Sequence, residues 1–191
     1  EHFPLVPQSS MKTSLLGGAL AAMTLALSVA AQGPLCTINP FASNNGGAAG
    51  GAVYFDLNVT NGVVINSLDT NYSAAIGTAV GVTVWTTPGT AVGNEGNPAV
   101  WTQVAMDNGT AVSAGIDAPT NIPLAAPLIL NPGSYGVALV AVGSAHSYTN
   151  GNGANQNFST PDLAIALGAG GNVPFSGTPF SPRVWNGCIN Y

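Results

Sequence analysis

Basic side chains are almost absent from this chain of 191 residues, in which Lys12 and Arg183 are the only lysine and arginine. Seven Asp or Glu residues bring the formal net charge to −5, and charged residues make up 5% of the chain. Nucleic acids and anionic membrane surfaces are bound through clusters of Lys and Arg. We therefore expect no nucleic-acid partner, and no membrane partner once the leader described below is removed.

Histidine is equally scarce, and His146 is the only one beyond the first ten residues. A hydrolytic triad needs a nucleophile, a base and an orienting acid in contact. Ser144 and Ser147 flank His146, and Asp162 follows downstream. A Gly-x-Ser-x-Gly nucleophile motif is absent from the sequence. We predict no catalytic residue and a protein that is not an enzyme, with a small secreted hydrolase as an alternative.

The acidic residues beyond the leader are the candidates for a carboxylate pair or a metal site: Asp56, Asp69, Glu95, Asp107, Asp117 and Asp162. A glycosidase needs two of them across a cleft, and their spacing in sequence does not place such a pair. Loop carboxylates can bind calcium in secreted domains, although no Asp-x-Asp-x-Asp-Gly spacing occurs here. We expect no cofactor, with calcium at Asp69, Asp107 and Asp117 as an alternative.

A secretory leader is predicted near the N-terminus. Met11 and Lys12 precede an apolar stretch from Leu15 to Leu27, and small residues follow up to Ala31. This order is typical of a signal peptide, and the stretch is shorter than the roughly 20 apolar residues of a membrane-spanning helix. We assign residues 11–31 to the signal peptide and residues 1–10 to an upstream extension. The protein is expected to be secreted, either extracellular or periplasmic.

Cysteine occurs twice, as Cys36 and Cys188. Two cysteines and one histidine beyond the leader are too few for a zinc site with four protein ligands. Export to an oxidising compartment favours a single disulfide between Cys36 and Cys188, with two buried thiols as the alternative. Such a disulfide would link the two ends of the exported chain.

Apolar residues recur at every second position in several short stretches. In the clearest stretch one face carries Val53, Phe55, Leu57 and Val59. This period is typical of half-buried strands, and Asn-Gly and Pro-Gly turn signals separate the stretches. We predict an all-β fold, a two-sheet antiparallel β-sandwich of jelly-roll or Greek-key type, with a closed barrel as the alternative.

The predicted sandwich domain comprises residues 53–191. Residues 32–52 are rich in Asn, Gly and Ala and are predicted to form a flexible segment that leads into this domain. Asn61-Gly62 lies between two valine-rich stretches, and this dipeptide is typical of a tight hairpin turn. We therefore expect the strands on either side of it to pair.

Aromatic residues are concentrated around Arg183. On an alternating strand Arg183 and Trp185 share one face, so the guanidinium can lie against the indole. This arrangement predicts an aromatic platform that stacks on a sugar ring, with Arg183, Tyr148 or Asn186 donating hydrogen bonds. The alternative is that Trp185 belongs to the core and that Arg183 pairs with a carboxylate.

Trp85 and Trp101 form a second group of interest. Each lies on the face of its strand opposite to the valine-rich face, which predicts that both side chains are partly exposed. An edge strand or a second layer could instead cover them.

Three motifs carry a resemblance to a known class of domain: Tyr54-Phe-Asp-Leu57, Val82-Thr-Val-Trp-Thr-Thr-Pro-Gly89 and Leu130-Asn-Pro-Gly-Ser-Tyr-Gly-Val137. In these motifs the stretch from Val53 to Ala141 resembles small secreted bacterial β-sandwiches of the pre-peptidase C-terminal and choice-of-anchor kind. The resemblance implies a non-catalytic exported module that binds surfaces or supports display.

Three functions are compatible with these features. The first is a secreted, non-catalytic β-sandwich that serves as a surface-associated structural or binding module, with a glycan or cell-surface partner. Self-association belongs to this hypothesis, because a nearly uncharged surface and strand edges without lysine do little to prevent it. The alternatives are a carbohydrate-binding module with an aromatic platform and the small hydrolase.

Overall fold

A computed structural model of the chain describes residues 33–191. The upstream extension predicted for residues 1–10 and the signal peptide predicted for residues 11–31 lie outside the described residues. No helix in residues 33–191 is long and apolar enough to cross a membrane. The helical element in this range is one short 3₁₀ turn, Pro98–Val100.

Strands make up most of the regular structure of residues 33–191. In chain order they are β1 (Leu35–Cys36), β2 (Asn45–Gly46), β3 (Ala52–Val59), β4 (Val63–Thr70), β5 (Gly81–Pro88), β6 (Thr102–Met106), β7 (Thr120–Leu130), β8 (Gly133–Val142), β9 (Ser147–Asn150), β10 (Asn157–Ser159), β11 (Leu163–Gly171), β12 (Arg183–Trp185) and β13 (Gly187–Asn190).

These strands form antiparallel sheets that pack against each other. One sheet has the order β1-β13-β4-β7, and a larger one has the order β10-β11-β3-β8-β5-β6. A small third sheet has the order β12-β9-β2. The prediction of an all-β antiparallel sandwich is confirmed.

Alternation along the central strand β3 explains why the two larger sheets pack face to face. Val53, Phe55, Leu57 and Val59 are all buried in the core, as predicted. Their partners across the core include Ile65 and other apolar residues of β4, β7 and β13. The remaining gap between the sheets is apolar and has a volume of about 20 Å³, which is close to the space of one water molecule. A ligand larger than a water molecule therefore does not fit into this gap between the two sheets.

In the structure the sandwich begins before residue 53, the start predicted from the sequence. Within the segment that was predicted to be a flexible lead-in, β1 pairs with β13 and β2 pairs with β9. Leu35, Thr37 and Phe41 are buried. The apolar side chains between the Asn and Gly residues of this segment pack it against the sandwich, beside β13 and β9.

The hairpin expected at Asn61-Gly62 does not form. β3 pairs with β11 and β8, whereas β4 pairs with β13 and β7, so the two strands belong to different sheets. Val59 and Val63 are both buried in the core between the sheets. The short turn thus carries the chain from one sheet to the other because both flanking strands have an apolar face to bury.

The predicted disulfide between Cys36 and Cys188 is present and links residues 152 apart in sequence. It joins β1 to β13 at a directly opposed pair. Thr37 reinforces the same connection, since its hydroxyl bonds to the Trp185 and Gly187 carbonyls. The N-terminal segment and the last strand of the sandwich are thereby held together.

Candidate functional site

The outward face of the six-stranded sheet carries a group of aromatic residues that is separate from the core between the sheets. Tyr54 of β3 and Trp85 of β5 lie on this face because neighbouring residues of a strand point to opposite sides. Trp101 follows the 3₁₀ turn, and Phe175 belongs to the loop between β11 and β12. We call Tyr54, Trp85, Trp101 and Phe175 the outer aromatic cluster.

Phe175 is the centre of this cluster. Its ring centroid lies 5.1 Å from that of Trp85, 5.4 Å from Trp101 and 6.1 Å from Tyr54. The Tyr54 and Trp101 rings are 5.8 Å apart. All four pairs are tilted or edge-to-face at distances that aromatic rings favour.

Small residues on neighbouring strands provide the floor on which these rings pack. Ala52, Ala138 and Ala169 are buried in the same cluster, on β3, β8 and β11. Ala91 is buried at its side, in the loop after β5. Because alanine occupies little volume, the large rings can lie close to the backbone of the sheet.

Hydrogen bonds hold three of the rings in place. The Tyr54 hydroxyl accepts a bond of 2.8 Å from the Phe175 backbone N–H. The indole N–H of Trp101 donates to the Asn94 carbonyl, and that of Trp85 donates to the Thr83 hydroxyl, both at 2.9 Å. The ring positions are thus determined by directional bonds as well as by packing.

Asp56 fixes the loop that carries Trp101. Its carboxylate accepts a bond of 2.8 Å from the Thr90 hydroxyl and one of 2.7 Å from the Ala91 N–H. These bonds anchor the beginning of the loop to β3. Asp56 therefore has a structural role in the outward face of the sheet.

Phe175 has an unusual backbone conformation, with φ of 57°. For a bulky residue this left-handed region costs on the order of 1–3 kcal/mol, and such residues persist where the surrounding structure holds them. The Tyr54 hydroxyl and the neighbouring rings provide that restraint here. Strained residues of this kind are concentrated at functional sites, which makes Phe175 a candidate binding residue.

The cluster is partly open to solvent. Tyr54 and Trp101 are buried, with exposed fractions of 2% and 6%. Trp85 and Phe175 are partly exposed. The prediction that Trp85 is partly exposed is confirmed, whereas Trp101 is covered, because a loop forms a local second layer over it. The accessible part of the cluster is the Trp85–Phe175 pair.

The Tyr54 phenol is a titratable group within the outer aromatic cluster. Burial raises the pKa of the Tyr54 phenol, the hydrogen bond from Phe175 lowers it, and the negative charge of Glu95 raises it further. Tyr54 thus stays neutral at physiological pH and serves as a hydrogen-bond acceptor. Glu95 is the carboxylate whose charge influences the cluster.

The three calcium candidates are not brought together. Asp69 and Asp117 line one pocket of about 470 Å³ beside the disulfide, whereas Asp107 binds the backbone N–H groups of Val82 and Gly109 elsewhere. Within residues 33–191 no group of three or more His, Cys, Asp or Glu side chains could hold a metal ion. Calcium binding stays a prediction, and the three predicted ligands do not lie together in residues 33–191.

Asp117 is occupied with a structural task. Its Oδ1 accepts bonds from the Ser43 hydroxyl at 2.6 Å, the Ser43 N–H at 2.7 Å and the Asn71 side-chain amide at 2.9 Å. The bonds from Ser43 hold the pKa of the Asp117 carboxyl below its usual range. This carboxylate thereby fastens the segment before β2 to the body of the sandwich.

The structure corrects the aromatic platform predicted at Trp185. The indole is 1% exposed and stacks on Phe55 with the ring centroids 5.6 Å apart. Tyr148 and Asn186 are buried as well. A sugar cannot stack on a ring that the protein covers, so Trp185 has the core role that was the alternative.

Arg183 lies beside Tyr148 and Phe180, whereas the sequence predicted a contact with Trp185. Its guanidinium carbon is 5.8 Å from the centroids of both Tyr148 and Phe180. One of its terminal nitrogens donates to the Pro182 carbonyl at 2.9 Å. Arg183 is thus held by its own strand and by two aromatic rings, and the expected contact with Trp185 is replaced by one with Tyr148.

His146 is packed in the interior with an exposed fraction of 1%. Its ring stacks on Tyr72 with centroids 5.6 Å apart, and its Nε2 bonds to the Leu139 carbonyl at 3.0 Å. Burial lowers the pKa of the imidazole to about 4. Its position within the core gives it an architectural role in the described structure.

Sequence reasoning missed Phe175 and Tyr54 as members of the candidate site. For Tyr54 a signal was present, since it faces away from the core residues of the same strand. The position of Phe175 had no local signal, because a loop far along the chain places it beside β3 and β5.

No model of a known protein family matches the chain, and a comparison with curated proteins finds no significant match. The resemblance to pre-peptidase C-terminal and choice-of-anchor domains therefore stays a prediction, and the fold and the outer aromatic cluster are the basis for a functional proposal.

Proposed function

We propose that the protein is a secreted, non-catalytic β-sandwich that binds a neutral glycan on the outward face of its six-stranded sheet. The observation that carries the proposal is the partly exposed, edge-to-face pair of Trp85 and Phe175, with ring centroids 5.1 Å apart. Sugars present apolar C–H faces, and aromatic side chains are the usual surfaces on which they stack.

Rigidity supports this role. The hydrogen bond from the Phe175 N–H to Tyr54 and the packing of the neighbouring rings hold the Phe175 ring beside Trp85 before any ligand arrives. A ligand then loses less free energy in ordering its site. The buried Tyr54 and Trp101 rings serve as support for the two accessible rings.

The charge of the surface supports a neutral ligand. Among residues 33–191 Arg183 is the one Lys or Arg, and its guanidinium lies beside Tyr148 and Phe180, neither of which belongs to the cluster. An anionic polymer would meet Glu95 near the cluster without a nearby cation to offset it. A neutral polysaccharide encounters no such repulsion.

The test is a binding assay on the full chain expressed for export. Affinity electrophoresis and pull-down with neutral polysaccharides, such as cellulose, chitin and xylan, compare the native protein with Trp85→Ala. We expect retention of the native protein by at least one polysaccharide and a loss of more than about tenfold in affinity for Trp85→Ala, since stacking is lost.

Phe180→Ala is the matched control, because Phe180 is an exposed aromatic residue outside the cluster. It should bind as the native protein does. Equal weakening by both substitutions, or no retention of the native protein by any neutral polysaccharide, contradicts the proposal.

A further inference from the structure

Asparagine is followed by glycine at six places in residues 33–191. An Asn side chain can react with the backbone nitrogen of the next residue, most readily when that residue is Gly, because Gly has no Cβ to hinder the approach. All six pairs carry this signal, so the tertiary structure decides which of them has the geometry to react. The pairs are Asn45-Gly46, Asn61-Gly62, Asn108-Gly109, Asn150-Gly151, Asn152-Gly153 and Asn186-Gly187.

Asn45-Gly46, the pair that forms strand β2, has this geometry. The Gly46 backbone N–H donates a hydrogen bond of 2.8 Å to Oδ1 of Asn45. Because a carbonyl bond is about 1.2 Å long, the Gly46 nitrogen lies within about 4 Å of Cγ of Asn45. Reacting atoms in a near-attack arrangement are roughly 3–3.5 Å apart. Both residues are exposed, so water and hydroxide can reach the two atoms.

Further hydrogen bonds keep the Asn45 side chain and its backbone in this position. Nδ2 of Asn45 donates to Oδ1 of Asn150, on the neighbouring strand β9, at 2.8 Å. The backbone N–H groups of Asn44 and Gly47, on either side of the pair, donate to carbonyls in and beside β9. A pair that is restrained in this way loses less entropy in reaching the transition state.

The hydrogen bonds of the other five pairs point their groups elsewhere. In four of them the Gly N–H donates to a different acceptor: Oδ1 of Asp107 for Gly109, the Pro182 carbonyl for Gly151, Oε1 of Gln156 for Gly153 and Oγ1 of Thr37 for Gly187. In the fifth pair Nδ2 of Asn61 donates to Asp162 at 2.8 Å, which holds this side chain toward the loop before β11. Asn45-Gly46 is the pair whose N–H meets the side chain of its own Asn.

We propose that Asn45 is a site of spontaneous deamidation and the first of the six Asn residues to react in the folded protein. The Gly46 nitrogen loses its proton to hydroxide and attacks Cγ of Asn45. A bond forms between these two atoms, the bond from Cγ to Nδ2 breaks, and Nδ2 takes a proton from water and leaves as ammonia. Water then opens the succinimide ring at one of its two carbonyls, which yields aspartate or isoaspartate at position 45.

This modification changes strand β2 in two ways. Either product adds a negative charge to a chain whose formal net charge is −5. Isoaspartate also lengthens the backbone path by one methylene group, so the pairing of Asn45 with Tyr148 and of Gly46 with Ser147 loses its register. Because β2 has only two residues, the small third sheet then loses this strand. The proposal is independent of the glycan function proposed for the outer aromatic cluster.

The test compares the reactivity of the six pairs in folded and unfolded protein. The full chain expressed for export is incubated at mildly alkaline pH, either folded or reduced in concentrated guanidinium chloride. Mass spectrometry of chymotryptic peptides then follows the conversion of amide to acid. In the folded protein Asn45 should convert at least about fivefold faster than any other Asn of the six. In the unfolded chain this preference should disappear, because no fold directs the side chains.

Gly46→Ala is the matched variant. A Cβ added at residue 46 meets the His146 carbonyl oxygen at 3.6 Å, which is an ordinary contact, so the fold should be retained. The methyl group hinders the attacking nitrogen, and conversion of Asn45 should fall more than about tenfold. Asn61 in the same sample is the internal control and should keep its rate.

Isoaspartate located at position 45 by peptide fragmentation, together with faster hydrogen exchange of the Gly47 amide in the aged protein, supports the proposal. It is overturned if Asn45 is not converted, if another of the six converts as fast in the folded protein, or if Gly46→Ala leaves the rate at Asn45 unchanged. If Gly46→Ala fails to fold, the comparison of the six pairs in the native protein decides by itself.

Discussion

The two sides of the six-stranded sheet use aromatic residues in different ways. On the inner side Trp185 stacks on Phe55 and is 1% exposed. On the outer side Trp85 and Phe175 meet edge-to-face and are partly exposed. An inner ring contributes to stability through burial on all sides, whereas an outer ring is restrained by a few contacts and keeps part of its surface exposed. The comparison separates residues that hold the fold from residues that are available for binding.

Trp185→Ala should produce the largest effect on stability. Removing a fully buried indole leaves a cavity beside Phe55 and costs about 4 kcal/mol of unfolding free energy. Urea denaturation monitored by far-UV circular dichroism measures this loss. Trp85→Ala is the comparison, with an expected cost of no more than about 2 kcal/mol because its ring is already partly exposed. Equal losses for the two variants would remove the distinction between the inner and outer sides.

Acidification should weaken the interior through His146. Burial depresses the pKa of this imidazole from 6.5 to about 4, so the unfolded chain takes up a proton between these values and the folded chain does not. The stability associated with neutral His146 is complete above pH 6.5 and is lost as the pH falls to 4, by about 3 kcal/mol in total. Urea denaturation at a series of pH values measures the slope.

His146→Gln is the control for this measurement, since its amide can still donate to the Leu139 carbonyl without titrating. The variant should be less stable at neutral pH and should show a shallower loss between pH 6.5 and 4. Identical slopes for the variant and the native protein would show that other groups account for the acid sensitivity.

Tyr54→Phe should have the smallest effect on stability and a larger one on binding. The substitution removes the acceptor of the Phe175 N–H and costs about 1 kcal/mol. Because the loop then holds Phe175 less firmly, affinity for a neutral polysaccharide should fall while the exposed Trp85 ring is retained. Chemical denaturation and affinity electrophoresis of the same preparation provide the two values. Unchanged affinity would show that the restraint on Phe175 is irrelevant to binding.

Much of the fold could be predicted from local patterns. The two-residue alternation of Val53, Phe55, Leu57 and Val59 indicated a strand with one buried face, and the core has that face. The predicted signal peptide and the presence of two cysteines favoured the disulfide that the structure contains. These features depend on the period of a strand and on the count of one residue type, both of which are visible in the sequence.

The pairing of strands could not be predicted in the same way. Asn61-Gly62 is a good hairpin signal, yet β3 and β4 belong to different sheets. The free energy gained by burying Val59 and Val63 in a shared core outweighs the local turn preference. The candidate site could not be predicted for a similar reason. The alternation of residues shows which side chains share a face of a strand, but it does not show which face another segment covers.

The amino-acid sequence by itself determined that this chain forms strands with apolar faces, contains few charged residues and has two cysteines, Cys36 and Cys188, that can form a single disulfide. Tertiary structure alone decided which aromatic residues became core and which stayed accessible. The physical reason is that burial depends on contacts between segments far apart in the chain: Phe55 of β3 covers Trp185, and a strained loop brings Phe175 to Trp85. Trp85 and Trp185 are the same residue type, both in β-strands, and contacts with distant segments determine that one is partly exposed and the other buried.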